Sequence, residues 1–475
     1  MRRLKAIVLG CVVVLFVAAS GSSSAATFIN WPSFLFRVAH TSTNRAATAI
    51  TTSNATSLVH GWTWHGDKPT MTGQPAPTLA ASPTVFNGVV YIGANTGVFY
   101  ALNESTGTVK WSRFIAFTPK LTCNAAKGFT STATVAKDPT TGKLTVYVGA
   151  ADGYLYAFDA ATGNTVWRGA VGIPSTTVND YYLWGSPTVS GGNVYIGISS
   201  QCDNPLVQGG VKEFNQSTGA LENTYFTVPS GSTGGSVWST PAVSTANGNV
   251  FVTTGNGNPT SPSQGDSVSI VRLSSSLVKQ DIWTVPASML MRDDDFGGSP
   301  SLFNAVIGGK TFAMVGACNK NGWFYALKAN NLAAGPVWKL QVGAGFSNTT
   351  GDQCIASAVW DGTRLFIAGN QTMINGTTYF GSIREVDPAT GNVIWATGLP
   401  GAIMGTPTLD GSGVIAAVSY DGATGSTNAA FLLNASNGNL LTTITTNSKG
   451  FGQPVFADNN VLFPTNSQGL LDYHP

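Results

Sequence analysis

Charge is what this chain has least of. Asp, Glu, Lys and Arg make up 10% of its 475 residues, against roughly 25% in ordinary globular proteins. No basic stripe is offered to nucleic acid. Histidine is rarer still: His40, His60, His65 and His474 all stand near the ends, which leaves no Ser/His/Asp arrangement of the hydrolytic kind. No CxxC, CxxCH or adjacent cysteine pair occurs, so neither a zinc ribbon nor a covalently attached haem is encoded. The apolar run from Ile7 to Ala19 is short of the roughly 20 residues that cross a bilayer as a helix.

That run follows Arg2, Arg3 and Lys5 and precedes the small residues Ser24-Ala25-Ala26. Residues 1–26 therefore read as a cleaved signal peptide, and the expected destination is secreted or periplasmic, with no stable membrane span. Its loss takes Lys plus Arg from 24 to 21 against 22 acidic residues, a net charge of about −1. Cys123, Cys202, Cys318 and Cys354 remain. In an oxidising compartment they form two disulfides, with three connectivities open.

What the chain has in abundance is one phrase. STGTVKW ends at Trp111, ATGNTVW at Trp167 and ATGNVIW at Trp395, with degraded copies at 217–223, before Trp283, before Trp338 and at 436–441. Self-similarity at a period of tens of residues marks a solenoid or propeller. Residues 81–111 show a whole unit, with apolar alternation at Val85, Val89, Tyr91, Phe99, Ala101, Val109 and Trp111 broken by Asn-Gly and Thr-Gly turns. That is an antiparallel meander.

Equivalent strand starts recur near residues 82, 130, 185, 239, 298, 355, 405 and 452. Eight such units predict an all-β, eight-bladed β-propeller. The last unit is cut short at Pro475, and Thr56 to Trp64 has strand character. Residues 56–475 are thus expected to form a ring closed by both chain ends, with 27–55 as a lead-in lying across it. The tryptophans of the phrase are expected to pack between blades, behind a turn that needs positive φ at Gly.

The phrase Ala/Glu-Phe/Leu-Asp/Asn-x-x-Thr-Gly-x-x-x-Trp resembles the tryptophan-docking motif of the quinoprotein alcohol dehydrogenase superfamily, and the chain is similar to its polyvinyl alcohol dehydrogenase-like members. The resemblance covers nearly the whole mature chain. It implies a propeller binding pyrroloquinoline quinone, PQQ, on its axis together with Ca²⁺. Within GGSVWSTPAVSTANGNVFVTTGNGNP (234–259), it implies Trp238 as the quinone floor and Asn256 as a calcium ligand. Within MRDDDFGGSP (291–300) and CNKNGWFYAL (318–327), it implies Asp295 as catalytic base and metal ligand, and Lys320 beside the quinone oxygens.

Three adjacent carboxylates at 293–295 are costly in so charge-poor a chain unless a cation offsets them, and mutual repulsion raises the pKa of at least one. Two departures stand out. The acidic calcium ligand of the family falls at Asn204, with Asp203 beside it as substitute, and Gln208 stands where the family has Arg. The vicinal cysteines of many members are missing, with Cys123 alone in that region.

The implied activity is oxidation of a small or polymeric alcohol by hydride transfer to PQQ, with no haem in the chain and a separate electron acceptor such as a cytochrome. The alternative is a non-catalytic propeller of the cell envelope, a scaffold or binding protein that retains the repeat.

Overall fold

Each repeat unit folds into four short strands because its apolar residues alternate and its turns are rich in Gly, Asn and Thr. The computed structural model describes residues 28–290, 293, 295–343, 353–420 and 425–475; residues 1–27, including the expected signal peptide, and Asp294 lie outside them. Eight antiparallel meanders follow one another. Blade 1 is Thr84–Phe86, Val89–Gly93, Val98–Asn103 and Val109–Phe114. The inner strands of blades 2 to 8 begin at Thr134, Thr188, Ala242, Ser301, Val359, Thr408 and Val455, each just past an expected start. Blade 8 takes its outer strand from Val59–Trp64, antiparallel to Gly469–His474. No helix of the described residues is long and apolar enough to cross a membrane.

The core is distributed around the ring. Eight clusters of buried apolar side chains are found among the described residues, each shared by two neighbouring blades. The repeated phrase builds these seams. Trp111 donates its indole N–H to Ala160 O at 3.0 Å, Trp167 to Gln216 O at 3.0 Å and Trp338 to Pro388 O at 2.9 Å. Trp62 of the closing strand does the same to Glu104 O at 2.8 Å, so the N-terminus supplies the tryptophan that the last repeat lacks.

Each of these indoles lies over the glycine of the next blade's turn. At Gly163, φ is +68°, and an added Cβ would lie 2.5 Å from the Trp111 ring. Gly163→Ala is therefore expected to cost about 2–4 kcal/mol, through left-handed strain and displacement of the indole. Urea unfolding of the variant checks this against Gly142→Ala, where φ is +69° but nothing lies within 4 Å; equal losses would remove the docking contribution.

Blade 5 breaks the pattern. Its copy of the phrase is a 3₁₀ turn, Leu332–Ala334, whose Leu332 N–H is held by Asp281 Oδ2 at 2.6 Å. Trp283 instead contacts Tyr325, with ring centroids 4.8 Å apart.

Around the axis the strand starts are linked by hydroxyls. The amides of Ser82, Thr132, Ser186, Thr240 and Ser357 donate to Thr132, Ser186, Thr240, Ser299 and Thr406 side chains in turn. Gln453 N donates to Ser82 Oγ across the closure. One end of the channel is crossed by the lead-in: Pro32, Val38, Ala39, Thr41 and Ser42 carbonyls accept from Val135, Val243, Leu302, Trp360 and Leu409 of five different blades. Buried His40 binds Pro300 O through Nδ1 at 2.7 Å. The inner strands run from the opposite end towards this strap.

The closure carries a buried acid. Glu104 is 4% exposed, and burial, reinforced by Asp458 and Asp472, pushes its carboxyl up to about 8. Its folded pKa thus exceeds the unfolded one, so its stabilising share is complete below about 4.5 and is lost as pH rises through about 8. Glu104→Gln should match wild type in melting temperature near pH 5 and exceed it by several degrees at pH 8. A variant that melts lower at pH 8 would contradict this.

Candidate cofactor-binding and active site

At the end of the channel opposite the strap, the inner strands begin and the second strands of each blade end. Residues placed just before the former or just after the latter line a shared cleft. Trp238 precedes the inner strand of blade 4, and Asn256 follows the second strand of that blade, Val250–Thr253. Asp295 lies in the connection from blade 4 to blade 5. Lys320 caps the second strand of blade 5, Lys310–Cys318, in a turn closed by Gly322 N–H to Asn319 O at 3.0 Å with φ of +87° at Gly322. Asp203 follows the second strand of blade 3, Asn193–Ile198.

All five expected residues line one cleft of about 240 Å³, together with Trp184, Ser200, Gln201, Cys202, Leu206, Ser236 and Asp293. Lys320 is its electrostatic hub. The ammonium stands 2.8 Å from Asp295 Oδ1 and 3.1 Å from Asp293 Oδ1, and 5.1 Å from the centre of the Trp238 ring. The cation that the acidic run required is this lysine. Asp295 Oδ2 accepts from Trp238 Nε1 at 3.1 Å and from the Asn256 N–H at 3.3 Å. The Lys320 N–H donates to Asp295 O at 2.9 Å, so backbone and side chain tie the two together. Asn256 Nδ2 donates to Asp293 Oδ1 at 2.7 Å.

Asp295 is 5% exposed. Burial pushes its carboxyl above the ordinary range, Lys320 opposes this, and Asp293 and Asp203 reinforce it. The expected rise thus has a different leading cause: desolvation rather than repulsion between neighbouring carboxylates. Burial alone would lower Lys320, but Asp295 and Asp293 outweigh it and hold the ammonium above its usual value. Asp203, at the exposed rim, lies close enough to Asp293 and Lys320 to feel both charges.

Disulfides brace the site from two sides. Cys123 pairs with Cys202, next to Asp203, and Cys318 with Cys354, two residues before Lys320. Around the first, Asn179 Oδ1 accepts the N–H groups of Leu121 and Cys123, and Thr122 Oγ1 donates to Asn204 O. Among the described residues no three His, Cys, Asp or Glu side chains form a chelating group by themselves. A divalent ion here needs the Asn256 amide and oxygens from a bound ligand.

Sequence reasoning missed Trp184 and did not give Asp293 a role of its own. Trp184 had a signal: it stands two residues before Ser186, as Trp238 stands two before Thr240. Asp293 had none beyond its place in the acidic run, because its bond to Lys320 depends on how the connecting loop folds back.

The chain matches the family described as glucose/ethanol/alcohol dehydrogenase, beta-propeller domain, over residues 31–341. Residues 320–471 match that of the outer membrane protein assembly factor BamB. It is 27% identical over 350 residues to a quinohemoprotein alcohol dehydrogenase of Comamonas testosteroni, covering 65% of this chain and 46% of that one. A polyvinylalcohol dehydrogenase of Sphingopyxis sp. (strain 113P3) is 26% identical over 318 residues, covering 55% and 44%. The chain thus spans less than half the length of these curated relatives.

Among solved structures, that of the Comamonas testosteroni quinohemoprotein alcohol dehydrogenase superposes with a TM-score of 0.72 at 18% identity, covering 94% of this chain and 80% of that one. BamB from Moraxella catarrhalis gives 0.53 at 14%, covering 88% and 98%. These two show the common fold. With the family match extending over well over half of its length, the chain belongs to the glucose/ethanol/alcohol dehydrogenase β-propeller family.

Proposed function

We propose that this propeller is an exported PQQ-dependent alcohol dehydrogenase acting on a small or polymeric alcohol. One observation carries the reading: Trp238, Asn256, Asp295 and Lys320, far apart in sequence, meet in one cleft, with Lys320 paired to Asp295 at 2.8 Å. The donor set fits the cofactors. A half-buried indole suits a flat aromatic ligand. Asp203, Asp293 and Asp295 with the Asn256 amide are hard oxygen donors of the kind Ca²⁺ takes, and three carboxylates against one ammonium leave negative charge for a divalent ion to neutralise.

PQQ, when bound, supplies the two-electron acceptor that takes the hydride of alcohol oxidation. The chain supplies the rest. Trp238 provides the floor, fixed in rotation by its N–H bond to Asp295. Asp203, Asn256 and Asp295, together with oxygens from a bound ligand, would hold the ion. Asp295 takes the proton of the substrate hydroxyl. Lys320 keeps Asp295 ionised before the transfer and holds positive charge beside the reacting atoms.

The two disulfides suit an oxidising compartment, in keeping with export, and electrons leave to a separate acceptor such as a cytochrome. The test is alcohol-dependent reduction of an artificial dye by purified protein given PQQ and Ca²⁺. Turnover requiring both additions supports the enzyme. The second reading, a non-catalytic envelope propeller, draws on the BamB match over residues 320–471 and on Asn204 at the acidic position. Protein that binds no quinone would favour it.

A further inference from the structure

The eight blades each place one residue on the axis two positions before the strand-start hydroxyl or amide: Ala80, Thr130, Trp184, Trp238, Gly297, Ile355, Met404 and Phe451 surround a small axial chamber of about 90 Å³. Two of the eight are tryptophans, on adjacent blades 3 and 4. These two also line the cleft above, and both are half-buried.

The two indoles are held in parallel ways. Trp238 donates its N–H to Asp295 Oδ2 at 3.1 Å, with Lys320 Nζ 5.1 Å from the ring centre. Trp184 donates its N–H to Ser200 O at 3.0 Å, with Lys127 Nζ 4.6 Å from the ring centre. Tyr182 adds an edge contact to Trp184 at 5.0 Å. An indole fixed by a hydrogen bond, a cation and a second ring presents a rigid surface, and a rigid surface loses little entropy when a ligand stacks on it.

We infer that Trp184 is a second stacking wall of the cleft, so that a bound planar heteroaromatic ligand contacts indoles from two blades, with Lys127 acting as a positioning residue for Trp184. The inference rests on the quinone reading of the site and adds a residue to it. It accounts for an indole facing the cleft where six of the eight blades carry other residues, three of them as small as Ala, Thr and Gly.

The test is calorimetric titration of PQQ, with Ca²⁺ present, into wild type, Trp184→Leu and Trp184→Tyr. The Leu variant is expected to weaken binding about tenfold or more, the worth of one lost aromatic contact, and the Tyr variant to stay within about threefold. Leu and wild type binding equally would overturn the inference. Because the Leu variant can fail to fold, wild type labelled with 5-fluorotryptophan provides a second readout. PQQ should shift the ¹⁹F resonances of both Trp184 and Trp238, assigned with Phe variants; movement of Trp238 alone would overturn the inference while leaving the quinone site standing. No binding by wild type would overturn the quinone reading itself, and this inference with it.

Discussion

Asp295→Asn is expected to lower alcohol turnover by about a thousandfold, the middle of the range for loss of a general base, while PQQ remains bound at saturating Ca²⁺ because the amide still offers one oxygen to the ion. The substitution keeps the size of the side chain and an oxygen able to accept from Trp238 Nε1, so the floor stays in place. It removes the lone pair that takes the substrate proton. Lys320 retains Asp293 as partner at 3.1 Å, so the cation is not stranded. In wild type the rate should rise with pH along an acid limb set by ionisation of Asp295. Loss of that limb in the variant, with quinone still bound by calorimetry, marks Asp295 as the base. Retained turnover rejects it.

Lys320→Met should be the most damaging single change to folding at this site. Lys320 has 12% and Asp295 7% of side-chain surface exposed, so removal of the ammonium leaves a buried carboxylate without its cation. Breaking such a pair from one side costs about 3–5 kcal/mol. The loss depends on pH. Without Lys320 the folded pKa of Asp295 rises further above its unfolded value, so protonation relieves the cost at low pH and the cost grows as pH rises. The gap between wild type and variant in urea unfolding should be largest near neutrality and smaller near pH 4. Lys320→Met/Asp295→Asn should recover much of it. A gap of constant size across that range would assign the loss to packing.

The repeat was legible because docking imposes the same local demand at each seam. A glycine with positive φ and an indole four residues on leave a fixed spacing, seen at Gly107, Gly163 and Gly391, while Gly219 and Gly438 keep the turn with Asn223 and Thr442 at the indole position. Ring closure was legible from the shortened last unit and the strand character of Thr56 to Trp64. Asp203, Trp238, Asn256, Asp295 and Lys320 were found through a family resemblance anchored to short ordered motifs, and they line one cleft.

The features that escaped depend on distance in space. The pairing of Cys123 with Cys202 is set by how two inter-strand loops fold over the cleft, which no spacing encodes. The bond from Asp293 to Lys320 is of the same kind. Trp395 departs from its own motif, giving its N–H to Glu385 Oε2 at 2.7 Å rather than to the next blade, because Glu385 lies opposite it in the sheet register.

The central claim is that the end of the channel opposite the strap holds one quinone with one calcium ion. Calorimetric titration of PQQ into the purified protein tests it directly, with Ca²⁺ and again after chelation. The account predicts one PQQ per chain at micromolar or tighter affinity, lost when calcium is removed. Absence of any binding at those concentrations with Ca²⁺ present, or binding indifferent to the ion, would contradict it.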